Sequence, residues 1–313
     1  MYTYSSRRIV ENAANPIDTG SLNSGLLRPE QSRRFLQQVF EATPLLNLVR
    51  REIRTAKTGE IDKIGIASRI LRKKTENTDD NYRAGVKTSQ IDYSCTAVRL
   101  PWEITEETLR ENIEGQNFES IVTNLMTTQT GVDLEDLCLN GDEEAGQDDP
   151  DYDFLKINDG WIKQLLNGSH VEDRTSKNSG AMSVDVFYDA LQQIPNKYNN
   201  GQLRWLMSPY RKQEWDKYLL NQIINQGGIV PDSVYQSPAS IPVVSVPNMS
   251  NDKIILTNPQ NLAIVNTYTV RIRKTTEGKE AIFQDKRFYV IHFDFDPVIE
   301  ELDAAAIITG LSA

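Results

Sequence analysis

NFESIVTNLMTTQTGVDLEDLCLNGD, residues 117–142, is the stretch that decides how this chain is read. Asn117 is a helix-capping residue type, and Phe118, Ile121, Val122, Leu125, Val132, Leu134, Leu137 and Leu139 supply apolar positions. A long helix is therefore predicted over 118–139, with a blurred period near Gly131. Asn140-Gly141 stops it, and an acidic loop runs from Asp142 to Asp153.

Upstream, Thr105 is placed to cap a short helix containing Glu106, Glu107 and Leu109. Before it, residues 50–100 read as a two-stranded ribbon closed by Pro101-Trp102. Ile61, Ile64, Ile66 and Ile70 mark the outgoing strand, and Val86, Ile91, Tyr93, Cys95 and Val98 the return. The tip between them is charged, from Arg72 to Asp80. Such a hairpin buries too little to stand alone in water, so it is expected to lie on another surface. Residues 1–30 read as an extended arm, broken by Asn15-Pro16, Gly20, Gly25 and Arg28-Pro29. Pro29 can open a short helix through Leu46, with Phe35, Leu36, Val39 and Phe40 on one face.

Downstream, residues 183–260 alternate helices and strands. Ser183 precedes a helix bearing Val184, Phe187, Leu191 and Ile194; Leu203–Met207 is a buried strand, and Pro209 starts a helix through Leu220. Gln226 to Pro238 reads as a loop, and Ile241–Val246 and Lys253–Thr257 as short strands. After residue 262 the pattern is mostly β. In Phe288–Phe295, apolar Tyr289, Ile291, Phe293 and Phe295 alternate with polar partners, as on a half-buried strand. Ala304 to Leu311 is apolar and is expected to dock on the core.

The composition narrows the function. With 313 residues the chain can bury a large core, and its net charge of −10 disfavours a tight grip on nucleic acid. No run of about 18 apolar residues predicts a membrane span, and Met1–Val10 lacks the apolar core of a secretory signal. Cys95 and Cys138 stand at unrelated spacing, so neither a disulfide framework nor a zinc site is read from them. No phosphate-binding loop, dinucleotide fingerprint, nucleophile elbow or zinc-protease motif occurs. The two histidines, His170 and His292, are read as a solvated loop residue and a polar-face strand residue. Asp149-Pro150-Asp151-Tyr152-Asp153 begins like a calcium loop, but Phe154 and Gly160 stand where the turn glycine and bidentate glutamate belong. Asp294 and Asp296 share the two-residue spacing of a carboxylate pair, and are read as outward positions on the strand. No catalytic residue, cofactor or metal is expected.

The order of parts is arm, long hairpin, long helix, acidic turn, mixed block and β return. It resembles the major capsid proteins of tailed bacteriophages with the Hong Kong 97-type fold, an α+β architecture. The resemblance covers nearly the whole chain. It rests on Leu137-Cys138-Leu139-Asn140-Gly141-Asp142, Leu206-Met207-Ser208-Pro209, Ile241-Pro242-Val243-Val244 and Ala306-Ile307-Ile308-Thr309-Gly310, in that order. It implies an N-arm (1–46), an extended loop (47–100), a peripheral domain in two halves (101–182 and 262–313) with 117–139 as its spine helix, and an axial domain (183–261).

What the resemblance implies about function is assembly: hexamers and pentamers of this one chain in an icosahedral shell, the phage head, enclosing double-stranded DNA in the virion. Scaffold, portal and decoration proteins are the further partners it implies, with synthesis in the bacterial cytoplasm. Some relatives join a loop lysine to an asparagine of a neighbour; no motif here marks that asparagine or its helper glutamate. Charge separates along the chain. Arg69, Arg72, Lys73 and Lys74 cluster on one shoulder of the loop, and Asp148, Asp149, Asp151 and Asp153 follow the spine helix. These eight residues are the candidate contact between subunits. A cellular nanocompartment shell of the encapsulin kind is one alternative, and a hydrolase using Asp294, Asp296 or the 142–153 acids another.

Overall fold

A computed structural model describes residues 43–66, 69–73, 76, 81–111, 117–175, 180–225, 237–267 and 271–312. The expected arm up to residue 42, Lys74 and the 226–236 loop lie outside the described residues. Among the described residues, no helix is long and apolar enough to cross a membrane.

The first half of the chain gives β1 (Arg50–Ile53), β2 (Thr58–Gly65), β3 (Lys87–Ser94), β4 (Thr96–Thr105), α1 (Glu106–Glu111), α2 (Asn117–Asn140), α3 (Tyr152–Leu155), α4 (Trp161–Leu166) and β5 (Val171–Asp173). The second gives α5 (Val184–Gln193), β6 (Arg204–Met207), α6 (Pro209–Asn225), β7 (Val243–Ser245), β8 (Ile254–Thr257), β9 (Leu262–Asn266), β10 (Arg271–Thr275), α7 (Lys279–Gln284), β11 (Lys286–Ile299) and β12 (Ala305–Thr309).

The predicted long helix is α2, the spine of the molecule. Its stop at Gly141 is set by close packing, because a Cβ there would meet the Asn158 carbonyl oxygen at 2.1 Å. The N–H of Gly160 donates to the Gly141 carbonyl at 2.8 Å and holds the following loop against the helix end. At the start of α1, Thr105 Oγ1 accepts the Thr108 N–H at 3.2 Å, the expected cap.

One sheet is organised by β11. Its first part pairs antiparallel with β4 on one side and β10 on the other, and its last four residues pair with β9. Trp102 faces Tyr289 in this ladder, and the two rings stack at 5.2 Å. β1 pairs parallel with β9 and closes the edge.

A second sheet runs in the order β5-β12-β8-β6-β7. Its strands β8 and β12 are buried on both faces, so they read as unbroken apolar runs and not as alternating ones. The period of two instead divides the residues between two cores. Leu206, Ile255, Ala305 and Ile307 join the core built on α2, α4 and β11. Trp205, Met207, Ile254, Leu256, Ala306 and Ile308 join the core beneath α5 and α6. In that second core, Phe187 meets Trp205 and Trp215 edge-on at 5.0 and 4.9 Å. The sheet is thus the wall shared by both cores.

Three local expectations change. Ile66 and Ile70 fall after the end of β2, and Val98 with Pro101-Trp102 belongs to β4, a strand of the body sheet, so the ribbon ends at Ser94. Asp294 is fully buried, not outward: its carboxylate accepts the N–H of Thr267 at 2.8 Å and the Thr267 hydroxyl. That pairing comes from the residue after β9, which alternation along one strand cannot show. His170 is half-buried beside Asp303, its Nε2 3.8 Å from the carboxylate, because its own carbonyl accepts from Ile307 and draws the loop onto β12. β5 and β12, from the segments 101–182 and 262–313, both lie in the second sheet.

Candidate assembly surfaces

The ribbon β2–β3 pairs in register from Thr58↔Ser94 to Gly65↔Lys87. Its root is anchored in the body. Ile61, Tyr93 and Cys95 bury against Val265 of β9 and Val298 of β11. Tyr93 donates its hydroxyl to the Ala56 carbonyl at 3.2 Å, and Asp296 accepts the Ser94 N–H at 2.7 Å. Lys63 reaches both the Glu300 carbonyl and the Glu301 carboxylate, the latter at 3.2 Å. Burial pushes the Cys95 thiol up to about 11, with Asp294 and Asp296 adding to it, so this sulfur is a packing group and not a nucleophile.

Beyond the root the ribbon changes character. Ile64, Ile66, Leu71 and Val86 are exposed, Leu71 at 94%. The expectation that the hairpin must lie on another surface therefore divides: the root lies on its own body, and the outer part presents apolar side chains to solvent. A lone exposed leucine means little, but Ile64 at the outer end of the ribbon and Ile66, Leu71 and Val86 in the chain just beyond it are exposed together.

Arg69, Arg72 and Lys73 are exposed on the expected shoulder, and Arg72 sets its guanidinium 4.0 Å from the Tyr82 ring centroid. Lys74 lies outside the described residues. Asp148, Asp149, Asp151 and Asp153 are all exposed in the loop after the spine helix. Asp149 Oδ1 accepts the Asp151 N–H at 2.9 Å, and Asp153 pairs with Lys156 at 2.7 Å. Asp142, at the head of this loop, pairs instead with Lys163 at 3.0 Å.

The sequence reading missed a cluster that joins both helix starts to the body sheet. Arg287 of β11 bonds Glu106 in the first turn of α1 and Glu119 in the first turn of α2, the latter at 2.6 Å. The bond from Arg287 holds Glu106 below the usual carboxylate range, against a small desolvation. For Glu119, burial pushes upward, but Lys274, Tyr289 and Arg287 outweigh it and the net direction is down. Anions in the first turn of a helix also complement its dipole. The signal in the sequence was the acid in each first turn; its partner, some 170 residues away, carried none.

No family model matches the chain. It is 25% identical over 300 residues to the protein named as prophage capsid protein YqbE of Bacillus subtilis strain 168, covering 91% of this chain and 92% of that one. In structure it is similar to a chain of the satellite phage P4 procapsid, with a TM-score of 0.61 at 17% identity, over 91% of this chain and all of that chain (100%). It is also similar to the SrpI encapsulin of Synechococcus elongatus, with a TM-score of 0.58 at 11% identity, over 91% and 96% of the two chains. The chain therefore has the Hong Kong 97-type capsid fold, and along nine tenths of its length its sequence resembles that of a prophage capsid protein.

Proposed function

We propose that this chain is a major capsid protein, whose copies form the hexamers and pentamers of an icosahedral phage head around double-stranded DNA. The observation that carries the reading is the ribbon: rooted in its own body by Ile61, Tyr93 and Cys95, with Ile64, Ile66, Leu71 and Val86 exposed at and just beyond its outer end. A monomer has no use for such an element, whereas a subunit that must grip its neighbours does. Many shallow contacts, repeated around each ring, add up to a strong shell. The role is structural and calls for no cofactor.

In this reading the sheet on β11 with the spine helix is the peripheral unit. The layer of α5 and α6 over the second sheet is the axial unit, which β5 and β12 complete. Arg69, Arg72, Lys73 and Lys74 of one copy meet Asp148, Asp149, Asp151 and Asp153 of the next. Scaffold, portal and decoration proteins are further partners, and assembly takes place in the bacterial cytoplasm before the chain enters the virion.

The likeness to an encapsulin favours a second reading, a cellular compartment with protein cargo. Electron microscopy of particles purified from cells that express the full chain, with assay of nuclease-protected nucleic acid, tests both. Closed shells or rings support the capsid reading, and DNA-filled shells in phage-producing cells establish it. Shells filled with protein cargo support the second, and a monomer at high concentration, even with a scaffold protein present, defeats both.

A further inference from the structure

The spine helix carries one acidic side chain that is sealed from water. Glu135 is fully buried near the end of α2, beside Leu137, Cys138 and Leu139. Its Oε2 accepts the backbone N–H groups of Leu45 and Leu46, each at 3.2 Å. Those two groups open a turn in which the N–H groups of Leu48 and Val49 return to the Leu45 carbonyl. Glu135 thus caps this turn from the spine helix, 90 residues away in sequence. The other oxygen, Oε1, is buried and receives no hydrogen bond among the described residues. A buried carboxylate needs donors to replace its hydration, and this one has them on one side only. The turn it holds is the root from which the chain enters β1.

The charged surroundings are mostly acidic. Asp133 and Asp136 stand on the same helix, each held up by its own burial, and Asp151 adds repulsion at Asp136. Cys138 lies further along the helix, where Asp296 of β11 and Arg51, in β1, act on it. Burial pushes Glu135 above the usual carboxylate range, the Leu46 and Leu45 N–H groups pull it back, and Asp136 pushes it further up.

We propose that Glu135 is a releasable latch on the root of the N-terminal segment: the uncharged carboxyl holds the Leu45–Val49 turn closed on the spine helix, and the carboxylate holds it loosely. The sign follows from linkage. The proton binds more tightly when the turn is docked than when the carboxyl is hydrated. Docking is therefore strongest below the ordinary carboxylate value and weakens as pH rises through the raised one. A loosened root lets copies of one chain aim the same segment differently, as the non-equivalent places of a shell require; this use rests on the capsid reading. The latch itself does not, and it is measured on the full chain before any assembly.

The test is hydrogen exchange at the amides of Leu45, Leu46, Leu48 and Val49, from about pH 5 to about pH 8, corrected for intrinsic exchange chemistry. Protection is expected to fall as pH rises, by at most about tenfold per pH unit, the limit for release of one proton. Glu135→Gln keeps an acceptor oxygen without the charge, and its protection should be high and flat across the range. Asp136→Asn removes a repulsive neighbour and should move the wild-type transition to lower pH. A wild-type profile independent of pH overturns the proposal, and so does a slope that survives in Glu135→Gln. If the glutamine variant does not fold, Asp136→Asn decides the matter: a wild-type transition that stays at the same pH in that variant overturns the proposal.

Discussion

Replacing Arg211 by methionine should destabilise the subunit more than neutralising the acid that pairs with it. Arg211, in the first turn of α6, is completely buried. Its Nε donates to the Asn251 carbonyl and its Nη2 to the Ser312 carbonyl, while Nη1 pairs with Glu214. Ser208 braces the same point: its hydroxyl bonds Asn251 at 2.6 Å and accepts the Arg211 N–H at 3.3 Å. One guanidinium therefore ties α6 to the turn before β8 and to the chain beyond β12. Methionine fills much of the volume but leaves two carbonyls without these donors, each at about 1–3 kcal/mol. Glu214, whose side chain is 28% exposed, can return to water and adds little. Relief of the buried charge offsets part of the loss, so Arg211→Met should cost about 2–4 kcal/mol. Glu214→Gln keeps an acceptor oxygen for Nη1 but leaves the buried guanidinium without its counter-charge, so it should cost about 1–2 kcal/mol. Lysine, a single donor head on a flexible stem, cannot reach all three acceptors and should fall between. Urea unfolding of the unassembled full chain measures this as a lower midpoint at unchanged slope. A methionine variant within about 0.5 kcal/mol of wild type, the scale of an ordinary surface change, would refute the reasoning, as would a glutamine variant at position 214 that costs as much.

Four other outcomes are expected. Reversing Arg72, Lys73 and Lys74 to glutamate should impair assembly without unfolding the subunit, and reversing the 148–153 acids in the same chain should partly restore it; normal assembly of the triple reversal at low salt would show that the contact is unimportant. Ala239 holds a left-handed conformation at φ 49°, followed by Ser240 at φ 61°, so Ala239→Gly should raise stability by about 0.5–1 kcal/mol in the same urea assay. Glu106 is held below the ordinary value of 4.5, so its contribution is present above that pH and lost as pH falls through the lowered value. The stability difference between wild type and Glu106→Gln should therefore be largest at neutral pH and close in acid, and a difference that grows in acid would contradict the assignment to Arg287. Boiled particles should run as a single monomer band on a denaturing gel, since no motif marks a cross-linking asparagine; a ladder of multimers would overturn this.

The spine helix was legible because its signals are local: Asn117 before the apolar run and Gly141 after it. The ribbon was legible from its isoleucines, but not where it stops being a ribbon, because the partner that claims β4 is β11, some 190 residues away. The same limit hid the second sheet. Nothing in Ala305-Ala306-Ile307-Ile308 says that its neighbours are β5 and β8, since a strand buried on both faces has no alternation to orient it. Asp294 and Glu135 were hidden for a related reason, as each answers backbone groups that lie far off in sequence. The charged clusters of the candidate contact stood out by composition, and Arg69, Arg72, Lys73 and the four aspartates are exposed.

The placement of β12 has a consequence for synthesis. It lies between β5 and β8 and is buried from Ala305 to Ile308, so the second sheet has an open seam until the ribosome has passed residue 309. Translation proceeds at roughly 5–20 residues per second, so well over a hundred residues after β5 are made before the strand that pairs with it. A nascent chain thus displays its ribbon while the wall between its cores is still incomplete. Early termination anywhere between β8 and Ala305 leaves Ile254–Thr257 without that neighbour, and both cores without one lining strand. Because β12 closes both cores at once, a product truncated before it is defective throughout and not at one edge. The order of translation thereby acts as a quality check, withholding both cores until β12 has been made.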